Sequence, residues 1–113
     1  MKRVLVTGAN GFVCSNIVTA LLEHGYFVYA VDLIWDNPVV ASWSPEQVER
    51  ITSDCLSLPA YELDALIHGA AMTAEASELG LSPEDYFETH LQPTLSMLRY
   101  AEANVTGRSI FIS

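Results

Sequence analysis

The stretch Thr7-Gly8-Ala9-Asn10-Gly11-Phe12-Val13-Cys14 decides how the chain folds. It follows Arg3-Val4-Leu5-Val6-Thr7, a compact β-rich run that stops at Gly8. After it the apolar period changes: Val13, Ile17 and Leu21, with Phe12 and Leu22, recur at helical spacing between Gly11 and His24. Gly25 stands where a helix C-cap belongs. Phe27-Val28-Tyr29-Ala30-Val31 then reads as a second strand ending at Asp32. Strand, turn, helix and strand within about 30 residues make one βαβ unit, whose crossover is right-handed and whose strands run parallel.

Outward from this unit the signals weaken and then return. Residues 33–47 hold Trp35, Pro38, Trp43 and Pro45 and show no clean period; the two indoles are read as cover for the sheet edge. A weak third strand spans Glu49-Arg50-Ile51-Thr52 and ends near Asp54, and a fourth, Ala65-Leu66-Ile67-His68, runs into Gly69-Ala70-Ala71. Ser82-Pro83-Glu84-Asp85 opens a long helix, with Ser at the N-cap, Pro at the first helical position and acids in the first turn. Phe87, Leu91, Leu95 (with Thr94) and Leu98 are read as its apolar face, and a kink is expected at Pro93. Ser109-Ile110-Phe111-Ile112 reads as a fifth strand.

Composition excludes several classes of function. A length of 113 residues allows one ordinary domain. With 50% hydrophobic and 17% charged residues and a mean hydropathy of +0.25, the chain is not an intrinsically disordered one. Five Lys+Arg against 14 Asp+Glu give a net charge of −9, which argues against nucleic-acid partners and against docking on an anionic membrane. No segment approaches the ~18 uninterrupted apolar residues of a membrane span. Cys14 and Cys55 do not make a disulfide framework, and a reducing, cytoplasmic location is expected. No His/Cys/Asp/Glu grouping has metal-ligand spacing.

The turn after the first strand is where a phosphate-binding element belongs. Gly8 permits the positive φ of so tight a strand-to-helix turn. Gly11 lets a pyrophosphate approach the backbone, and the unbonded amides around Phe12 and Val13 would donate to its oxygens. Backbone donors explain how so acidic a chain can hold an anionic cofactor. Asp32, at the end of the second strand, is placed to accept the ribose hydroxyls of an adenosine. A 2′-phosphate there would face that carboxylate, and there is no Lys or Arg between Val4 and Glu49, so NAD is expected over NADP.

These residues resemble the extended short-chain dehydrogenase/reductase proteins, the NAD-dependent epimerase/dehydratase group. Residues 7–14 resemble the T-G-x-x-G-x-x-G turn, implying cofactor contacts at Gly8, Asn10, Gly11, Phe12 and Val13. Asp32 matches the ribose-binding acid, and Asp54-Cys55 matches the Asp-apolar pair that contacts adenine. Ile67-His68-Gly69-Ala70-Ala71 is similar to the I-H-x-A-A stretch beneath the nicotinamide ribose, adding Gly69, Ala70 and Ala71. Phe111-Ile112-Ser113 resembles the start of the serine motif. The resemblance implies an α/β fold of Rossmann type, a doubly wound parallel sheet of five strands in the order 3-2-1-4-5, cut after the fifth. Residues 1–113 would then be the NAD-binding domain of a longer enzyme that acts by hydride transfer on a small molecule such as a nucleotide sugar, with a homodimer as its expected assembly. A dehydrogenase or carbonyl reductase of the same superfamily, or a non-catalytic dinucleotide sensor, shares these features.

Three departures stand out. Cys14 replaces the third glycine, so its thiol must displace the helix or be absorbed by a neighbour. His90 and Pro93 stand where the N-x-x-G-T pattern has Asn and Gly, while Thr94 is kept. Tyr26, Tyr29, Tyr61, Tyr86 and Tyr100 all lack a Lys four residues on, and Lys2 is the only lysine, so the catalytic Tyr-x-x-x-Lys pair is not in this chain and no catalytic residue is expected within it. Of the remaining candidates, His68 is read as a hydrogen-bonded core histidine, His24 as a surface helix end, and His90 as helix filler or a polar support. The two cysteines are read as buried thiols, and Glu75, Glu78, Glu84, Asp85 and Glu88 as a solvated face.

Overall fold

The computed structural model describes residues 1–55, 58–69, 80 and 82–112; for residues 86, 87 and 89–91 it describes the backbone only. The elements run β1 (Arg3–Thr7), α1 (Phe12–Glu23), β2 (Phe27–Asp32), a 3₁₀ turn (Pro38–Ser42), β3 (Val48–Thr52), β4 (Leu63–His68), α2 (Pro83–Asn104) and β5 (Val105–Phe111). The five strands form one sheet in the order β3-β2-β1-β4-β5, every pair parallel. This is the doubly wound order expected from the sequence, reversing direction at β1.

Alternation along the central strands sends side chains to two cores. Val4 and Val6 of β1, with Val28 and Ala30 of β2, face α1 and pack with Cys14, Val18, Val40 and Trp43. Leu5, Tyr29 and Val31 point the other way, toward Leu63, Leu66, Cys55 and Met97 of α2. Strands buried on both faces read as unbroken apolar runs, which is why β1 and β2 were legible. On α1 the inward residues are Cys14, Ser15 and Val18, with Leu21 and Leu22 partly buried, whereas Phe12 and Val13 are 83% and 54% exposed.

Four expectations change. β3 begins at Val48 and β4 at Leu63, each earlier than read. β5 starts at Val105, directly from the end of α2, because no Gly or Pro turn separates the two. Helix α2, read as one long helix, runs to Asn104 with Pro93 inside it. Its inward face is not the leucine stripe: Leu95 and Leu98 are 42% and 45% exposed, and Met97 is buried at 1% with Tyr100 packed beside it. The side chains of Phe87 and Leu91 lie outside the described residues. Thioether and phenol outrank leucine here because the 97/100 positions are the ones α2 turns toward the sheet.

Residues 53–62 carry the chain from β3, on one sheet edge, to β4 on the other side of β1. A parallel crossover usually contains a helix; among the described residues here there is none. Tyr61 instead stacks on Tyr29 of β2, with ring centroids 3.9 Å apart and planes at 15°. Its hydroxyl donates to Glu49 of β3 (3.2 Å), and the Tyr100 hydroxyl donates to the Pro59 carbonyl (2.7 Å). The strap is thereby bonded to β3 and to α2 and stacked on β2.

Met97→Ala should destabilise the protein by about 2–4 kcal/mol, as truncation of a fully buried side chain does. Leu98→Ala should cost under about 1 kcal/mol. Urea denaturation of the two variants would show the reverse order if the leucines were the packing face.

Candidate cofactor-binding site

The site is built where β1, β2 and β4 end together, at Thr7, Asp32 and His68. Gly8 has φ +69°, the left-handed conformation that favours glycine. The Gly11 amide closes the turn on the Gly8 carbonyl at 3.0 Å, and a β-carbon on Gly11 would sit 3.2 Å from that same oxygen. Gly11 is the N-cap of α1, and the first helical bond runs from the Ser15 amide to its carbonyl (2.9 Å). The amides of Phe12, Val13 and Cys14 precede that bond and have no acceptor within the helix. No side chain caps this end and no acid lies in the first turn, so its partial positive charge is met by no group of α1. A close turn with glycine at both ends and unbonded amides fits a phosphate group.

Asp32 is fastened to that turn. Its carboxylate accepts from the Asn10 amide (2.9 Å) and from the Leu33 amide (2.7 Å), and the Ala9 amide donates to the Val31 carbonyl (3.1 Å). Each carboxylate oxygen retains lone pairs for a further donor. The Ser53 amide donates to the Asp32 carbonyl (3.2 Å), which brings Asp54 and Cys55 to the same edge of the sheet. Cys55 is buried and left-handed (φ +71°), and the Ser96 hydroxyl of α2 donates to its carbonyl (3.0 Å).

Thr7 organises the β4 side. Its hydroxyl is hydrogen-bonded to His68 Nδ1 and accepts the Gly69 amide (3.1 Å), which also donates to the Thr7 carbonyl. His68 is 3% exposed, and its ring lies 5.4 Å from that of Phe111. It is a hydrogen-bonded core histidine, as expected. His24 is exposed at the end of α1, and Glu84, Asp85 and Glu88 are exposed on α2.

Cys14 settles the fate of the missing third glycine. Its sulfur lies against Gly69, where an added β-carbon would coincide with it. The volume gained on α1 is absorbed by the absence of a side chain after β4. Burial, then the charge of Asp32, pushes the Cys14 thiol up. Burial, then Asp54 and Asp32, outweighs a hydrogen bond with Thr7 and pushes the Cys55 thiol from 9.0 to about 11. Both are inert buried thiols rather than activated ones.

Of the site residues read from sequence, Gly8, Asn10, Gly11, Phe12, Val13, Asp32, Asp54, Cys55 and Gly69 fall along one edge of the sheet. Ala70, Ala71, Glu75, Glu78 and Ser113, and the side chain of His90, lie outside the described residues. Among the described residues no group of His, Cys, Asp and Glu could hold a metal ion, and no helix is long and apolar enough to cross a membrane.

Sequence reading missed Asp36 and Asn37. Asn10 Nδ2 donates to Asp36 (2.6 Å); the Asn37 amide donates to Asn10 Oδ1 (2.9 Å); and Asn37 Nδ2 donates to the Asn10 carbonyl (2.9 Å) and to Ser15 Oγ (3.1 Å). Asn37 Oδ1 caps the 3₁₀ turn through the Val39 amide (3.0 Å). The available signal was Asn37-Pro38, a capping residue before a proline at the first helical position. Beyond this network Trp35 donates to Thr52 of edge strand β3 (3.1 Å) beneath Arg50, and Trp43 donates to Thr19 of α1 (3.1 Å).

Comparison with known proteins places this geometry. The model of the NAD dependent epimerase/dehydratase family matches residues 4–113. Aldehyde reductase 2 of Sporidiobolus salmonicolor is 36% identical over 88% of this chain and 31% of its own length. Human UDP-glucose 4-epimerase is 28% identical over 99% of this chain and 37% of its own. The crystal structure of UDP-glucose 4-epimerase from Bifidobacterium longum in complex with NAD+ and UDP superposes with a TM-score of 0.77 at 26% identity, covering 99% of this chain and 37% of that one. A carbonyl reductase from Pseudomonas aeruginosa shares the fold (TM-score 0.79, 21% identity, 100% and 62% covered). The chain spans about a third of the length of the curated relatives it matches.

Gly69→Ala should lower the melting temperature sharply, and Cys14→Gly should restore most of the loss in the double variant. Additive losses would show that the two positions do not share one volume. Stability should also fall as pH rises above about 9. Between pH 9 and 11 the unfolded chain has released the Cys55 proton that the native chain keeps, a loss on the order of 1–2 kcal/mol. Denaturation of Cys55→Ala across this window should show a shallower decline.

Proposed function

The chain belongs to the NAD dependent epimerase/dehydratase family, and on that premise we propose that residues 1–113 are the NAD-binding part of a longer, cytoplasmic enzyme of this type. The observation that carries the reading is the joint placement of the Gly8–Gly11 turn and Asp32, held together through Asn10. In this reading the amides of Phe12 and Val13, with the bare turn at Gly8 and Gly11, hold the pyrophosphate. Asp32 takes the adenosine ribose hydroxyls, Asp54 and Cys55 border the adenine, and Gly69, Ala70 and Ala71 underlie the nicotinamide ribose. Asn10 acts by fixing Asp32 to the turn. NAD supplies a hydride acceptor when bound. His68 and Thr7, bonded to each other, fix the end of β4 beneath that cofactor.

The relatives named as UDP-glucose 4-epimerases favour a nucleotide sugar as substrate, oxidised transiently and then reduced. Aldehyde reductase 2 favours the second reading, net reduction of a carbonyl by the same cofactor half. Both readings call for the family's Tyr-x-x-x-Lys acid/base pair, and no tyrosine of residues 1–113 has a lysine four residues on. Residues 1–113 alone are therefore proposed to bind cofactor without turnover. A homodimer is part of this proposal.

NAD should raise the melting temperature of the intact protein more than NADP does, and Asp32→Ala should narrow that difference. Equal shifts by the two cofactors in the wild type would overturn the assignment.

A further inference from the structure

We infer that Asp36 is a second carboxylate that discriminates against a 2′-phosphate, presented across Asn10 from Asp32. The inference rests on Asp32 taking the adenosine ribose, and extends the selection to a residue outside the family turn. Asn10 is the link: its amide is bonded to Asp32 (2.9 Å) and its side-chain nitrogen to Asp36 (2.6 Å), so one residue spans the two acids. The orientation of the Asn10 amide is set by the Asn37 N–H, which must meet its oxygen and thereby turns the nitrogen toward Asp36.

Asp36 is exposed, yet its backbone is pinned on one side. The next residue, Asn37, is bonded to Asn10 twice and to Ser15 of α1, and it caps the 3₁₀ turn. A charge on such a fixed loop acts on a ligand at the ribose without waiting for a side chain to be ordered. Ribose hydroxyls are neutral donors and lose nothing beside a second carboxylate. A 2′-phosphate, carrying up to two negative charges, is repelled by both. No Lys or Arg lies between Val4 and Glu49 to offset this, and the Arg50 guanidinium lies over the Trp35 ring at 5.8 Å. Selectivity thus comes from a repulsive element against the wrong cofactor as much as from bonds to the right one. Solvent screens Asp36, so its share is a factor of several rather than of thousands.

The test is the ratio of the NADP to the NAD dissociation constant, measured by calorimetric titration of the intact protein at low and high salt. Asp36→Asn keeps an oxygen for Asn10 and removes the charge. It should lower the ratio about three- to tenfold at low salt, less at high salt, chiefly by tightening NADP. Asp36→Glu should keep the wild-type ratio, and Asp32→Asn with Asp36→Asn should lower it further than either alone. A ratio unmoved by Asp36→Asn, or both cofactors weakened in proportion, would overturn the inference and leave Asp36 only a brace for Asn10. Should the wild type bind neither cofactor, the proposed function fails first and this inference with it; a wild type that prefers NAD while Asp36→Asn changes nothing sinks the inference alone.

Discussion

The bond from the Asn10 amide to the Asp32 carboxylate is the constraint around which the rest is arranged. A strand-to-helix turn and the end of the next strand are separate local structures, and each alone is common. Joined by one hydrogen bond at 2.9 Å, they put an anion-seeking helix terminus and a carboxylate at a fixed spacing. Parallel pairing of β1 with β2 sets the coarse distance, and the second amide, from Leu33, sets the direction of the carboxylate. The acid is bonded before any ligand arrives, so a ribose would meet an ordered acceptor rather than a mobile one.

How much of this was legible follows from what each signal depends on. β1, α1 and β2 are governed by local periodicity and glycine placement, and the sequence reading matches them closely. Asp32 was found because its position follows from the length of one βαβ unit. Asp36 and Asn37 were passed over because their importance lies in reaching back to Asn10 and Ser15, contacts that no periodicity encodes. The misread face of α2 has a similar origin. Leu95 and Leu98 look like core by hydrophobicity, but the rotation of the helix against the sheet is set by tertiary packing, which selects Met97 and Tyr100. β5 was read too short because its early residues, Thr106 to Arg108, are exposed and give no apolar alternation. The exchange between Cys14 and Gly69 was half legible: the thiol plainly needed a recipient, but its identity required the end of β4 to be placed beside α1.

Membership of the family and the geometry of the turn speak to the cofactor, while the substrate chemistry proposed above calls for a Tyr-x-x-x-Lys pair that residues 1–113 do not contain. In the proposed binding mode an acidic chain holds a dinucleotide through amides and one helix terminus, with no lysine or arginine at the phosphates. Surface charge is then free to serve solubility and selectivity.

The strap of residues 53–62 is the single covalent passage from the β1–β3 half of the chain to the β4–β5 half. Stacking of Tyr61 on Tyr29, with bonds to Glu49 and Tyr100, fastens its described part to the sheet and to α2. Asp54 and Cys55 sit at its head, placed beside Asp32 by the Ser53 amide and against α2 by the Ser96 hydroxyl. An inserted or deleted residue near Pro59 would leave every strand intact and still pull on the segment proposed to border the adenine.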